Sequence, residues 1–173
     1  RIDHLLLSPQ AADRLVAAEA CGTLAVQLTA HPILPREVMT AKSVENALRV
    51  LLAIGGSTNA LVHLTAIAGR LGIAIEYDRL NEISDETPVL VDLKPVGEGY
   101  MEDFFAAGGV GAVLRELQPL LHLDCIGVDG HTLGERLAEP LSWVDRKVIR
   151  PLADPIAATG GLVLSLLDPE DRW

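Results

Sequence analysis

Aromatic residues make up only 3% of the 173 residues, with two each of Trp, Tyr and Phe. A core must therefore be built from Leu, Val, Ile and Ala. Cysteine is as scarce. Cys21 and Cys125 are the only two, which excludes a disulfide-rich secreted scaffold and a four-cysteine metal site within this chain. Positive charge is in deficit, with 14 Lys plus Arg against 24 Asp plus Glu and a formal net charge of −10. An acidic surface repels phosphate backbones and anionic lipid, so neither nucleic acid nor a membrane surface is the expected partner. No uninterrupted apolar run reaches the ~20 residues that a membrane-spanning helix needs. The run at 50–54 stops at Gly55-Gly56. The opening Arg1-Ile2-Asp3-His4 leads only into three leucines, unlike a signal peptide. The sequence also starts without Met, which reads as a piece of a longer polypeptide. A soluble, reducing, cytoplasmic setting is the expectation.

What is present suits a packed α/β unit. Hydrophobic residues reach 49% and charged residues 22%, enough apolar surface to exclude global disorder. Ser8-Pro9 predicts a helix start, with Ser as cap and Pro in the first turn. That helix would run to about residue 29, with Leu15, Ala18, Gly22 and Ala25 on its inner face. After His31-Pro32 and Leu34-Pro35, Thr40 can cap a second helix in which Val44, Ala47, Leu48 and Leu51 face inward and Lys42, Glu45 and Arg49 face water. A third helix begins near Ser57 and is apolar on nearly all sides, which predicts burial. Residues 78–86 read as a short polar helix or a turn. Residues 89–93, Val-Leu-Val-Asp-Leu, read as a strand covered on both faces, as in a parallel sheet. Residues 101–117 are helical with a break at Gly108-Gly109. A strand is expected at 125–128, then a capping box between Thr132 and Glu135 opening a short helix. Beyond Pro140 the chain becomes irregular, with one further strand expected at 163–167.

Several standard sites are excluded. Asn59 occupies the position where a nucleophile elbow needs glycine, and Gly97-Glu98-Gly99 and Gly109-Val110-Gly111 lack the third glycine of a dinucleotide fingerprint. The histidines at 4, 31, 63, 122 and 131 match no common zinc spacing. The most informative local feature is Gly55-Gly56-Ser57-Thr58-Asn59. Two glycines allow close backbone approach, and three polar residues stand at the start of a helix whose free amides and dipole attract a carboxylate or phosphate. Simple helix capping by Ser57 or Thr58 is the alternative. Glu102-Asp103 suits acid/base work or a divalent cation, or else ordinary first-turn placement. His63 reads as a core residue. Cys21 and Cys125 read as small buried side chains.

The stretch at 45–64, Glu-Asn-Ala-Leu-Arg-Val-Leu-Leu-Ala-Ile-Gly-Gly-Ser-Thr-Asn-Ala-Leu-Val-His-Leu, resembles the dihydroxy-acid dehydratase / phosphogluconate dehydratase family. The likeness continues in order through Thr-Pro-Val-Leu-Val-Asp-Leu-Lys-Pro at 87–95, Tyr-Met-Glu-Asp-Phe at 100–104 and Ala-Gly-Gly-Val at 107–110. It carries on at Gly-His-Thr-Leu-Gly-Glu at 130–135, Val-Ile-Arg-Pro-Leu-Ala-Asp-Pro-Ile at 148–156 and Thr-Gly-Gly at 159–161. The resemblance implies dehydration of a 2,3-dihydroxy carboxylate to a 2-keto acid, using an iron–sulfur cluster beside Mg2+. Departure of the 3-hydroxyl would be assisted by a Lewis acid, a base would take the C2 proton, and the enol would tautomerise.

The resemblance implies an α/β fold of which this chain is the helix-rich later part of the larger N-terminal domain, its helices packed on a small parallel sheet. Residues 1–140 would belong to that domain, and 141–173 to the interdomain linker and first strand of a C-terminal domain. The family's cluster cysteines, its Cys-Asp-Lys motif and its catalytic serine lie outside the matched stretch. No catalytic residue or metal ligand is therefore assigned, to Cys21, to Cys125 or to any other residue. Gly56, Ser57, Thr58 and Asn59, within the loop at 55–59, are the expected substrate-carboxylate contacts. The blocks at 100–104 and 114–124 resemble the sugar-acid dehydratases, with a pentonate or gluconate-type substrate; the branched-chain dihydroxy acid is the alternative. The expected partners are the small dihydroxy acid, the remainder of the enzyme and further copies in a homo-oligomer. This segment alone is expected to be inactive. A different class of reading is a truncated, non-catalytic binding or assembly module.

Overall fold

The computed structural model describes residues 12–94 and 97–162, and within them the chain is rich in helix and poor in strand. The elements in order are α1 (Ala12–Ala30), α2 (Pro35–Val38), α3 (Ala41–Ala53), α4 (Thr58–Arg70), α5 (Tyr77–Glu86), α6 (Met101–Ala106), α7 (Gly109–Glu116) and α8 (Leu133–Leu137). Helix α1 ends where expected, while its expected start at Ser8-Pro9 and the expected strand at 163–167 lie outside the described residues.

Short-range chemistry accounts for several boundaries. Thr40 Oγ1 accepts the Ser43 amide at 3.2 Å, and Ser43 Oγ accepts the Thr40 amide at 2.8 Å, which starts α3. Thr132 and Glu135 form the expected capping box at α8, with reciprocal bonds of 3.1 and 2.7 Å. Helix α2 starts on Pro35 with Glu37 folded back onto the Leu34 amide.

Helix α3 is the centre. Its face bearing Leu48, Leu51 and Leu52 packs with Leu61 of α4 and Leu80 and Ile83 of α5. Its last residue, Ala53, joins a second cluster with Leu90, Val91, Leu93, Phe104, Val113, Leu117 and Ile149. Val89, Leu90, Val91 and Leu93 are buried, with Asp92 between them half-buried, but they do not form a parallel sheet. The Leu90 and Val91 amides donate to the Ala53 carbonyl at 2.8 and 3.2 Å. The remaining pairing is antiparallel and isolated, Val89 with Ala157 and Val91 with Ile149. The only parallel bridge among the described residues, Leu93 with Gly99, spans a local turn. Unbroken apolarity reports burial on both faces. It does not report what supplies the cover, and here the cover is helices and the returning segment 148–157. At 125–128 the expected strand reduces to one antiparallel bridge, Ile126 with Thr132, around a turn closed by the Gly130 amide on Gly127.

Four orientations differ from the sequence reading. On α1 the partly covered residues are Ala17, Leu24 and Leu28, while Leu15, Ala18, Gly22 and Ala25 are exposed. Cys21 is exposed as well. Helix α4 is not enclosed: it buries Leu61 and Ala68 only, and Val62, His63 and Ile67 face outward. On α3, Arg49 is 5% exposed and Glu45 half-buried, because α5 brings Glu86 to the first and Arg79 to the second. No helix among the described residues is long and apolar enough to cross a membrane.

Candidate functional site

Residues 55–59 form the elbow between α3 and α4. Gly55 and Gly56 have φ of +86° and +53°, a conformation that side chains with a Cβ rarely adopt. The Gly55 amide donates to the Leu52 carbonyl at 3.1 Å and ends α3. Ser57 is extended, and its carbonyl accepts the first intrahelical bond of α4, from the Leu61 amide at 3.1 Å. Its hydroxyl makes no capping bond. The amides of Thr58, Asn59 and Ala60 therefore stand at the helix start without an intrahelical acceptor. The side chains of Ser57, Thr58 and Asn59 are exposed, and Gly56 is half-buried. Between the two readings of this loop, Ser57 as a simple cap is not what the structure shows. Ser57, Thr58 and Asn59 are thus exposed polar side chains beside free amides at the positive end of a 13-residue helix.

The structure brings this elbow together with the glycine pair at 160–161. A Cβ at Gly56 would lie 2.7 Å from Leu162 Cδ1, and one at Gly161 would lie 3.7 Å from the Gly55 carbonyl oxygen.

Beneath the elbow, α3 is fixed to α5 by a charge network that the sequence reading missed. Arg49 Nη2 is 2.6 Å from Glu86 Oε2 and 3.0 Å from Glu45 Oε1, and its Nη1 donates to the fully buried Thr87 Oγ1 at 3.2 Å. Arg79 adds a 2.9 Å contact to Glu45, and His122 Nε2 is 3.6 Å from the same oxygen. Partial burial pushes the Glu45 carboxyl up. The hydrogen bond from Arg49 and the charges of Arg79, Arg49 and His122 outweigh it and hold the group below its ordinary value. One turn earlier, buried Asn46 holds the loop after α7: its Nδ2 donates to the His122 carbonyl at 2.9 Å and its Oδ1 accepts the His122 amide at 2.8 Å. The signal was present in the Glu45/Arg49 spacing of four, beside the Leu48/Leu52 face of the same helix.

The other candidates separate. Asp103 accepts the Tyr100 amide at 2.8 Å at the start of α6, and Glu102 is exposed beside it. His63 stands on the outer face of α4. Cys125 is half-buried, and burial together with the neighbouring Asp124 charge pushes its thiol up, away from the thiolate form. Among the described residues no three His, Cys, Asp or Glu side chains converge to hold a metal ion. The described donor set therefore does not fit an iron–sulfur cluster or Mg2+ bound by this segment itself. An open cleft of about 690 Å3 beside α8 contains Asp129, His131, Glu135 and Arg136, and another of about 640 Å3 is lined by Arg115, Pro119, Leu123 and Leu152. Neither includes residues 55–59. Arg136 in the first is already paired with Asp129.

The family model of the dihydroxy-acid/6-phosphogluconate dehydratase N-terminal domain matches residues 5–136. A dihydroxy-acid dehydratase of Caldicellulosiruptor saccharolyticus is 44% identical over 155 residues, 88% of this chain and 28% of the relative. One from Koribacter versatilis is 37% identical over 172 residues, 94% of this chain and 30% of the relative. An L-arabinonate dehydratase of Rhizobium leguminosarum bv. trifolii is 40% identical over 153 residues, 87% of this chain and 26% of the relative. The chain thus spans under a third of the length of each of these relatives.

Proposed function

The chain belongs to the dihydroxy-acid/6-phosphogluconate dehydratase family, and from that premise we propose that it is one segment of a longer hydro-lyase. The whole enzyme would remove water from a 2,3-dihydroxy carboxylate to give a 2-keto acid. The observation that carries this reading is the family match over 5–136, more than half of the chain. The relatives similar to this chain carry two dehydratase names. On this reading the α/β character belongs to the complete domain, to which this segment contributes the helical part. Residues 1–140 stay within that domain, and 141–173 lead out of it toward the next.

The segment's own part is to hold the substrate carboxylate. The amides at the start of α4, with Ser57, Thr58 and Asn59, would orient it on the backbone that Gly56 allows to come close. In the family the cluster and Mg2+ supply the Lewis-acid chemistry. No described residues converge to hold either group, so we assign their ligands to parts of the enzyme outside the described residues. Within the substrate class we place a sugar acid, on the likeness of residues 100–104 and 114–124. A second reading is the branched-chain dihydroxy acid; relatives named dihydroxy-acid dehydratase support a dihydroxy acid without naming which one.

The test is steady-state kinetics of the complete enzyme with an aldonate and with a branched-chain dihydroxy acid, together with Asn59→Ala. Losing a hydrogen bond to a carboxylate raises KM about tenfold, with kcat less affected. An unchanged KM in Asn59→Ala removes the elbow from the substrate site. Absence of turnover with either acid overturns the reaction, and turnover by the 173-residue segment alone overturns the claim that it is only part of the catalyst.

A further inference from the structure

We propose that Ser84 and Leu162 are positioning residues for the 55–59 elbow, which they hold in place by fastening residues 160–162 across it. Two glycines in left-handed conformation leave a link with little intrinsic stiffness. Within residues 55–57 the first turn of α4 is held only by the Ser57 carbonyl, which accepts the Leu61 amide, and no side chain caps it.

The stiffness comes from elsewhere in the fold. Ser84, near the end of α5 and 1% exposed, engages the returning chain twice. Its carbonyl accepts the Gly160 amide at 2.7 Å, and its hydroxyl donates to the Leu162 carbonyl at 2.7 Å. The two bonds bracket Gly161 and aim the Leu162 side chain at the space that a Cβ on Gly56 would fill. Leu162 there joins the cluster of Leu48, Leu51, Leu52, Leu61, Leu80 and Ile83, so it wedges α3, the elbow and α4 together. The fit is close on the clamp side too. A Cβ at Gly160 would lie 2.7 Å from Ser84 Oγ and 3.1 Å from Leu52 Cδ2.

The pose of the elbow is thus set by a residue more than a hundred positions downstream. The fastening stands on this geometry alone. That the fastened elbow serves a carboxylate rests on the reading given above.

Hydrogen–deuterium exchange of the full 173-residue chain tests it, with peptides over 57–64 and, as a control, over 109–117. In Leu162→Ala, exchange over 57–64 should rise about tenfold while the control stays unchanged, because the loss is local rather than global. Leu162→Met, which refills the wedge, should restore the slow rate, and Ser84→Ala should reproduce the loosening. Unchanged exchange over 57–64, an equal rise in the control peptide, or no rescue by Met would each overturn the fastening. NMR titration of the wild-type chain with an aldonate separates this from the site assignment. If the 57–60 amides do not respond to the aldonate, the carboxylate role fails and the exchange result stands.

Discussion

Helices α3 and α4 are each 13 residues long, adjacent in sequence and joined by a two-glycine elbow, yet α3 buries six residues and α4 two. The difference lies in their neighbours. Helix α3 has α5, α4 and α7 around it and lends Ala53 to the second cluster, so even its arginine is enclosed. Helix α4 rests on α3 along one stripe, leaving Val62 and Ile67 in solvent. Apolar composition states how much a helix could bury. Burial itself is decided by which surfaces reach it, and in this chain those surfaces converge on α3.

The strongest way to break that contrast is Leu52→Ala. Leu52 has no exposed surface and sits where α3, α5 and residue 160 meet. Truncation should destabilise the chain by about 3 kcal/mol, through lost transfer energy and an unfilled cavity. Urea unfolding measures it, and a loss below about 1 kcal/mol would remove α3 from the centre of the fold.

A smaller effect probes the polar side of the same helix. The Glu45 carboxyl is held below its ordinary value of 4.5 in the folded chain, so its contribution to stability is fully present above that pH. It is lost as pH falls through the folded value. Glu45→Gln should lower stability at pH 7 by about 1 kcal/mol. The difference from wild type should then shrink as the pH is taken below 4.5. Asp124, Asp129 and Glu135 are also held low and give the wild type further acid sensitivity. They remain in the variant, so subtracting the two profiles isolates Glu45. A difference independent of pH would mean that the charge on Glu45 does not matter to the α3–α5 contact.

Much of this was legible in the residues. The caps at Thr40 and Thr132, the short α5 and the break at Gly108-Gly109 follow from local chemistry, which acts within one turn and needs no knowledge of the partner. What local pattern could not supply was the identity of neighbours. The apolar run at 89–93 announced two-sided burial and not the antiparallel return of 148–157 that provides one side. Arg49 looked like a water-facing residue because Glu86 and Thr87, which enclose it, are 37 and 38 positions away. The same held at the elbow. The residues 55–59 were marked by their glycines and hydroxyls, whereas Ser84 carries no mark at all until the chain returns to it at 160–162.

The smallest expected effect sharpens the contrast most. Val62 projects from the outer face of α4 with 65% of its surface exposed, so Val62→Asp exchanges one solvated side chain for another. In the 173-residue chain the change should alter stability by no more than about 0.5 kcal/mol. The complete enzyme is the discriminating case. If the longer polypeptide covers the outer face of α4, the same aspartate is buried without a partner there and the loss grows to several kcal/mol. Unfolding of both lengths, wild type and variant, reads the two numbers side by side. A large loss only in the complete enzyme would show that α3 and α4 differ in this chain because one of them still lacks its cover. Equal, small losses would show that α4 is a surface helix in its own right, with apolar residues that face water by design of the fold rather than by absence of a neighbour.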